Sequence, residues 1–153
     1  MIGIVVVTHG SLGHVLIETA EMIIGEQENV HAIALNPDSN LDTLRDEVIQ
    51  ATQQADTGQG VLLLVDMFGG TPANAAAASR CAQSYQCLCG VNLPMLLEAF
   101  LRREEMPLDE LAARVELLAC ESIVNLRAAL ERALHNPAPA RAGLGDRPNA
   151  GEK

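Results

Sequence analysis

The stretch Ile2-Gly3-Ile4-Val5-Val6-Val7-Thr8-His9-Gly10-Ser11 constrains this chain most. It is a short apolar run, rich in β-branched residues, that stops abruptly at a histidine. Such residues suit a pleated strand. Because the run is continuous rather than alternating, the strand is expected to be covered on both faces, as in the parallel sheets of α/β proteins. His9 then stands at the carboxyl end of a buried strand, where open α/β sheets bind ligands. Gly10 permits a turn, and Ser11 is placed to cap the helix that follows.

The pattern repeats along the chain. Leu12, Val15, Leu16, Met22 and Ile23 fall at helical spacing, with Gly25 as the stop. Val30 to Leu35 reads as a second strand. Asn36-Pro37-Asp38-Ser39-Asn40 reads as a turn ending in a helix cap, and Leu41, Leu44, Val48 and Ala55 mark a second helix. Val61-Leu62-Leu63-Leu64-Val65 is a third apolar strand, and it ends in Asp66. After Met67-Phe68-Gly69-Gly70, Thr71 is expected to cap a helix with Pro72 at its first position. Tyr85 to Val91 forms a fourth strand. Asn92 caps a fourth helix through Leu101, and Leu108, Leu111, Val115 and Leu118 mark a fifth. Ser122 to Arg127 fits either helix or strand.

Strands alternating with helices imply an α/β, doubly wound, mainly parallel sheet. In the order 2-1-3-4, strands 1 and 3 flank the topological switch point, and His9 and Asp66 face each other across one crevice. A carboxylate on one imidazole nitrogen fixes the tautomer and makes the other nitrogen a better nucleophile. Helix N-termini after Gly10 and Thr71 offer positive dipole ends to a phosphoryl group.

Composition sets the class of partner. The 153 residues carry 10 basic and 20 acidic side chains, a net charge of -10. This argues against nucleic acid and anionic membranes. No apolar run is long enough for a spanning helix, and no signal peptide is visible, so a cytoplasmic protein without direct membrane insertion is expected. Cys81, Cys87, Cys89 and Cys120 lack metal-binding spacing and read as buried thiols. No metal site and no cofactor are expected. His14, His31 and His135 read as surface residues. From Asn136 onward, Pro, Ala, Gly and Arg replace the apolar periodicity. The expected division is therefore a domain over 1–135 and a disordered tail over 136–153.

The sequence resembles the enzyme IIA domain of the mannose family of the bacterial phosphoenolpyruvate-dependent sugar phosphotransferase system. The resemblance is carried by Val7-Thr8-His9-Gly10, by Ala20-Glu21-Met22-Ile23-Ile24-Gly25-Glu26-Gln27-Glu28-Asn29-Val30, by Val65-Asp66-Met67-Phe68-Gly69-Gly70-Thr71-Pro72-Ala73-Asn74-Ala75-Ala76 and by Gly90-Val91-Asn92-Leu93-Pro94-Met95-Leu96. It implies that His9 accepts a phosphoryl group on Nε2 from the histidine phosphocarrier protein and passes it to a histidine of enzyme IIB. Asp66 would orient His9, and Gly10, Ser11, Gly69, Gly70 and Thr71 would surround the phosphate. The resemblance also implies a homodimer with an exchanged antiparallel fifth strand, for which Ser122 to Arg127 is the candidate. The chain ends without a IIB domain, so a separate IIB protein is expected. Phe68 either meets a partner or packs under the Gly69-Gly70 turn.

Three alternatives stay open. One is a regulatory phospho-switch of the same family with no direct transport role. Another is a histidine phosphatase or mutase, although that chemistry calls for an arginine beside the histidine, where Thr8 stands. A tetrapyrrole chelatase would need further ligands at the crevice.

Overall fold

The structure is a computed structural model that describes residues 1–77 and 84–135; the expected tail at 136–153 and Cys81 lie outside the described residues. The element order is β1 (Gly3–His9), α1 (Leu12–Ile24), β2 (Val30–Leu35), α2 (Leu41–Ala55), β3 (Val61–Val65), α3 (Thr71–Ala76), β4 (Tyr85–Cys89), α4 (Leu93–Arg102), α5 (Leu108–Glu121) and α6 (Leu126–His135). The chain divides into two compact units, Met1–Ser122 and Ile123–Lys153.

The first unit holds a four-stranded sheet in the order β2-β1-β3-β4, with every pair parallel. This is the architecture expected from the strand-helix alternation. β1 and β3 are apolar throughout because both their faces are covered. Ile4 and Val6 pack with Leu62, Leu64, Leu96 and Leu111 on one side. Val5 and Val7 pack with Leu44, Val48, Leu63 and Ala75 on the other. Burying each such side chain contributes about 1.5–3 kcal/mol, so a polar residue in either strand would cost a large share of the net stability. α1 and α4 meet on the first face, α2 and α3 on the second. The connections leaving β1 and β3 therefore turn to opposite sides of the sheet and open a crevice between their carboxyl ends.

α1 turns a different face to the core than its largest side chains indicate. Gly13 and Ala20 are buried, and Leu16, Ile17 and Ile24 pack beside them. Leu12, Val15, Met22 and Ile23 are exposed, Met22 at 87%. Small residues line the buried stripe because α1 lies close against β1: a Cβ on Gly13 would stand 3.1 Å from Val6 Cγ1. The cap of α1 also differs from expectation. Ser11 occupies the N-cap position without a side-chain bond, whereas buried Thr8 Oγ1 accepts the Gly13 N–H at 2.9 Å. Asn40 and Asn92 do cap α2 and α4, accepting from the Asp42 and Met95 N–H groups.

Among the described residues of this single chain the candidate fifth strand is not seen, and residues 123–125 are neither helix nor strand. Ser122 closes α5, and Leu126–His135 is helical. The sequence there favours helix locally. Asn125 Oδ1 accepts the Ala128 N–H at 3.0 Å, and Arg127 pairs with Glu131 one turn on at 2.9 Å. Two thiols also depart from expectation. Cys87 is half-buried, and burial, with a smaller push from Cys89, raises its pKa to about 11. Cys89 and Cys120 are exposed, Cys89 because it ends an edge strand and Cys120 because it lies on the outer side of α5. His14 and His135 are exposed as expected, and His31 is half-buried on β2.

Candidate active site

His9 is the last residue of β1, and Asp66 directly follows β3, its neighbour in the sheet. Parallel register brings these two chain ends level although they lie far apart in sequence. Asp66 Oδ2 accepts from the His9 backbone N–H at 2.7 Å and stands 2.7 Å from His9 Nδ1. Asp66 Oδ1 accepts the Met67 N–H at 2.9 Å. Burial opposes ionisation of Asp66, but the His9 backbone N–H, the His9 ring and the Met67 N–H outweigh it. The carboxyl is therefore held below its ordinary value. An ionised carboxylate only accepts, so the imidazole hydrogen lies on Nδ1 and Nε2 carries the lone pair.

Exposure separates the two groups. The Asp66 side chain is 12% exposed and the His9 side chain 48%. The carboxylate is thus fixed inside the crevice while the ring reaches solvent. His9, Thr71, Asn36, Ser39 and Leu41 line a cavity of about 490 Å³ beside the ring.

Of the candidate phosphate-binding residues, Gly10 and Thr71 line the cavity with His9, and Gly70 lies against its ring. Gly10 has a φ of 53°, which a non-glycine residue would resist, and its N–H is taken by the Leu35 carbonyl at 2.8 Å. Gly10 therefore shapes the turn and does not offer that N–H to a ligand. The Ser11 side chain is free of cap duty. Gly70, not Thr71, is the N-cap of α3; Thr71 is its first residue and lines the cavity. A Cβ on Gly70 would stand 3.3 Å from His9 Cε1. Only glycine gives the ring its full space there. Gly69 takes a φ of 77° at the turn. Phe68 is 87% exposed and does not pack beneath that turn; Met67 beside it is exposed as well.

Asn36 and Ser39, which the sequence reading does not single out as site residues, line the cavity with His9. The signal for them was present, since in the order 2-1-3-4 the residues following β2 must flank those following β1. Among the described residues, no cluster of three or more His, Cys, Asp or Glu side chains is arranged to hold a metal. Among the described residues, no arginine or lysine lines the cavity beside His9.

The family profile described as EIIA-man, PTS system fructose IIA component, matches residues 3–116. The chain belongs to this family. It is similar to the PTS system mannose-specific EIIAB component of Escherichia coli (strain K12), 42% identical over 146 residues, with 92% of this chain and 44% of that protein covered. The chain thus spans less than half the length of that relative. It is also similar to the PTS system fructose-specific EIIA component of Bacillus subtilis (strain 168), 36% identical over 123 residues, with 80% and 84% covered. Among solved structures, phosphotransferase system component EIIA from Streptococcus agalactiae superposes with a TM-score of 0.77 at 30% identity, covering 84% of this chain and 99% of that one. The EIIA-man match takes in every element that builds the crevice, from β1 through β4.

Proposed function

We propose that this chain is a phosphoryl carrier of the sugar phosphotransferase system. His9 accepts a phosphoryl group on Nε2 from the histidine phosphocarrier protein and passes it to a histidine of an enzyme IIB partner. The observation that carries this reading is the 2.7 Å contact between His9 Nδ1 and Asp66 Oδ2, which occupies one ring nitrogen and leaves the other as the nucleophile. Membership of the EIIA-man family supports the same reading.

In the transfer, the Nε2 lone pair forms a P–N bond as the P–N bond to the donor histidine breaks. The bonding electrons return to the donor ring. The hydrogen on Nδ1 stays in place, and the positive charge that develops on the His9 ring is balanced by Asp66. Ser11, Gly69, Gly70 and Thr71 surround the phosphoryl group, and Gly10 shapes the turn that presents it. Exposed Phe68 is the partner-contact residue. The reaction is cytoplasmic; among the described residues, no helix is long and apolar enough to cross a membrane.

The functional unit is a homodimer. Supporting this, β4 is an edge strand of the sheet among the described residues, and Ile123 and Val124 are exposed in the second unit. Sedimentation as a monomer at micromolar concentration would exclude it.

The deciding experiment for the carrier role is incubation with phosphoenolpyruvate, enzyme I and the histidine phosphocarrier protein. One acid-labile phosphoryl group per chain is expected, and His9→Ala abolishes it. Equal labelling of His9→Ala would overturn the assignment.

A further inference from the structure

One wall of the cavity beside His9 is the connection between β2 and α2. His9 pairs with Leu35 in the sheet register, and the Gly10 N–H binds the Leu35 carbonyl at 2.8 Å, so the residue after Leu35 is held next to the histidine. That residue is Asn36. Its backbone is clamped to Ser39 in both directions: the Asn36 N–H donates to Ser39 Oγ at 3.0 Å and the Ser39 N–H donates to the Asn36 carbonyl at 3.0 Å. Both residues line the cavity with His9 and Thr71.

The donor chemistry of this wall matches a phosphoryl group. Ser39 Oγ already accepts a backbone N–H, so its remaining function is to donate its own hydrogen. The Asn36 carboxamide has no hydrogen-bond partner among the described residues and brings two N–H donors. A phosphoryl group offers only acceptors. We propose that Asn36, assisted by Ser39, donates hydrogen bonds to the phosphoryl group on His9, opposite the side of the ring held by Asp66.

This inference rests on the phosphoryl-carrier reading and deepens it. Neutral donors are the fitting choice for a carrier. An arginine would hold the phosphate through a charge-assisted, bidentate bond and oppose its departure, whereas a carboxamide and a hydroxyl stabilise charge in the transition state with a weaker grip. Among the described residues, the cavity lining holds Asn36, Ser39 and Thr71 and no arginine or lysine, which agrees with that division. The clamp between Asn36 and Ser39 fixes the backbone of Asn36 and the Ser39 hydroxyl before the phosphate arrives, so only the Asn36 side-chain torsions remain to be ordered.

The test compares Asn36→Ala, Asn36→Asp, Asn36→Gln and Ser39→Ala with the parent chain. The readouts are the rate of phosphoryl acceptance from the phosphorylated phosphocarrier protein and the phosphorus NMR shift of the phosphohistidine. Asn36→Ala should slow acceptance about tenfold, the loss of one hydrogen bond to a charged group. Asn36→Asp should be slower still, because a carboxylate repels the phosphoryl oxygens, and Asn36→Gln should recover part of the rate. Ser39→Ala should have a smaller effect in the same direction. The phosphorus resonance should shift in Asn36→Ala, whereas a purely structural role would leave it in place. Melting temperatures confirm that the variants are folded. If the parent is phosphorylated and Asn36→Ala and Asn36→Asp match it in rate and resonance, the assignment of Asn36 is overturned alone. If the parent accepts no phosphate, the carrier reading falls, and this inference with it.

Discussion

His9 meets Asp66 twice: one carboxylate oxygen, Oδ2, accepts the His9 backbone N–H at 2.7 Å and lies 2.7 Å from the ring nitrogen Nδ1. The carboxylate thus fixes the end of β1 and the ring it carries with the same atom. Replacing Asp66 by Asn keeps the shape but removes the charge that balances an imidazolium. Asp66→Asn should slow phosphoryl transfer in both directions by about 10- to 100-fold while the chain stays folded. Rapid-quench kinetics with the phosphorylated phosphocarrier protein measures this, and an unchanged rate would remove the orienting role.

The same carboxylate makes stability depend on acid. Burial raises its pKa, the bonds to His9 and Met67 lower it, and the net position is below the ordinary value of 3.8. A group depressed on folding contributes stability that is present above the unfolded-state value and lost as pH falls through the folded-state one. The stability difference between parent and Asp66→Asn should therefore be largest at neutral pH and shrink below pH 3.8. Urea unfolding in neutral and in acidic buffer gives both values, and a difference that grows in acid would contradict the sign.

Gly70 sets the clearance for the His9 ring. The Cβ of Gly70→Ala would stand 3.3 Å from His9 Cε1 and 3.1 Å from Met67 Cγ. The exposed Met67 side chain can swing away, so the fold should survive, but the ring must shift by a few tenths of an ångström. Phosphoryl acceptance should fall about three- to tenfold, because transfer depends on alignment. A shifted His9 ring resonance with an unchanged melting temperature would accompany the loss.

Thr8 serves stability rather than chemistry. Thr8→Val keeps the volume but leaves the buried Gly13 N–H without its acceptor. The expected cost is about 1–3 kcal/mol, read as a lower urea midpoint at unchanged slope. Phosphoryl transfer by the folded fraction should be preserved.

Residues 136–153 carry no apolar periodicity. We propose that they add nothing to the folded domain, so a chain ending after His135 should keep its melting temperature and its phosphoryl acceptance. A large fall in melting temperature would show that they dock.

What the sequence determined by itself was periodic or local. The unbroken apolar runs of β1 and β3 could be stable only with both faces covered, and that alone implied a parallel sheet. Abrupt ends to the apolar runs placed His9 and Asp66 at the carboxyl ends of neighbouring strands, and the caps at Asn40 and Asn92 were legible because a cap acts within a few residues. Tertiary structure decided whatever depended on the distance between elements. Leu12, Val15, Met22 and Ile23 of α1 face solvent, and Gly13 and Ala20 are its buried residues where the helix lies close against β1. The cap of α1 comes from Thr8 within the sheet rather than from Ser11, since the strand runs directly beneath the first turn. Leu126–His135 becomes helix because capping and pairing between neighbours favour helix wherever no strand supplies ladder partners. Asn36 comes to line the cavity beside His9 through the β1–β2 register, a non-local contact that becomes readable only once the strand order is known.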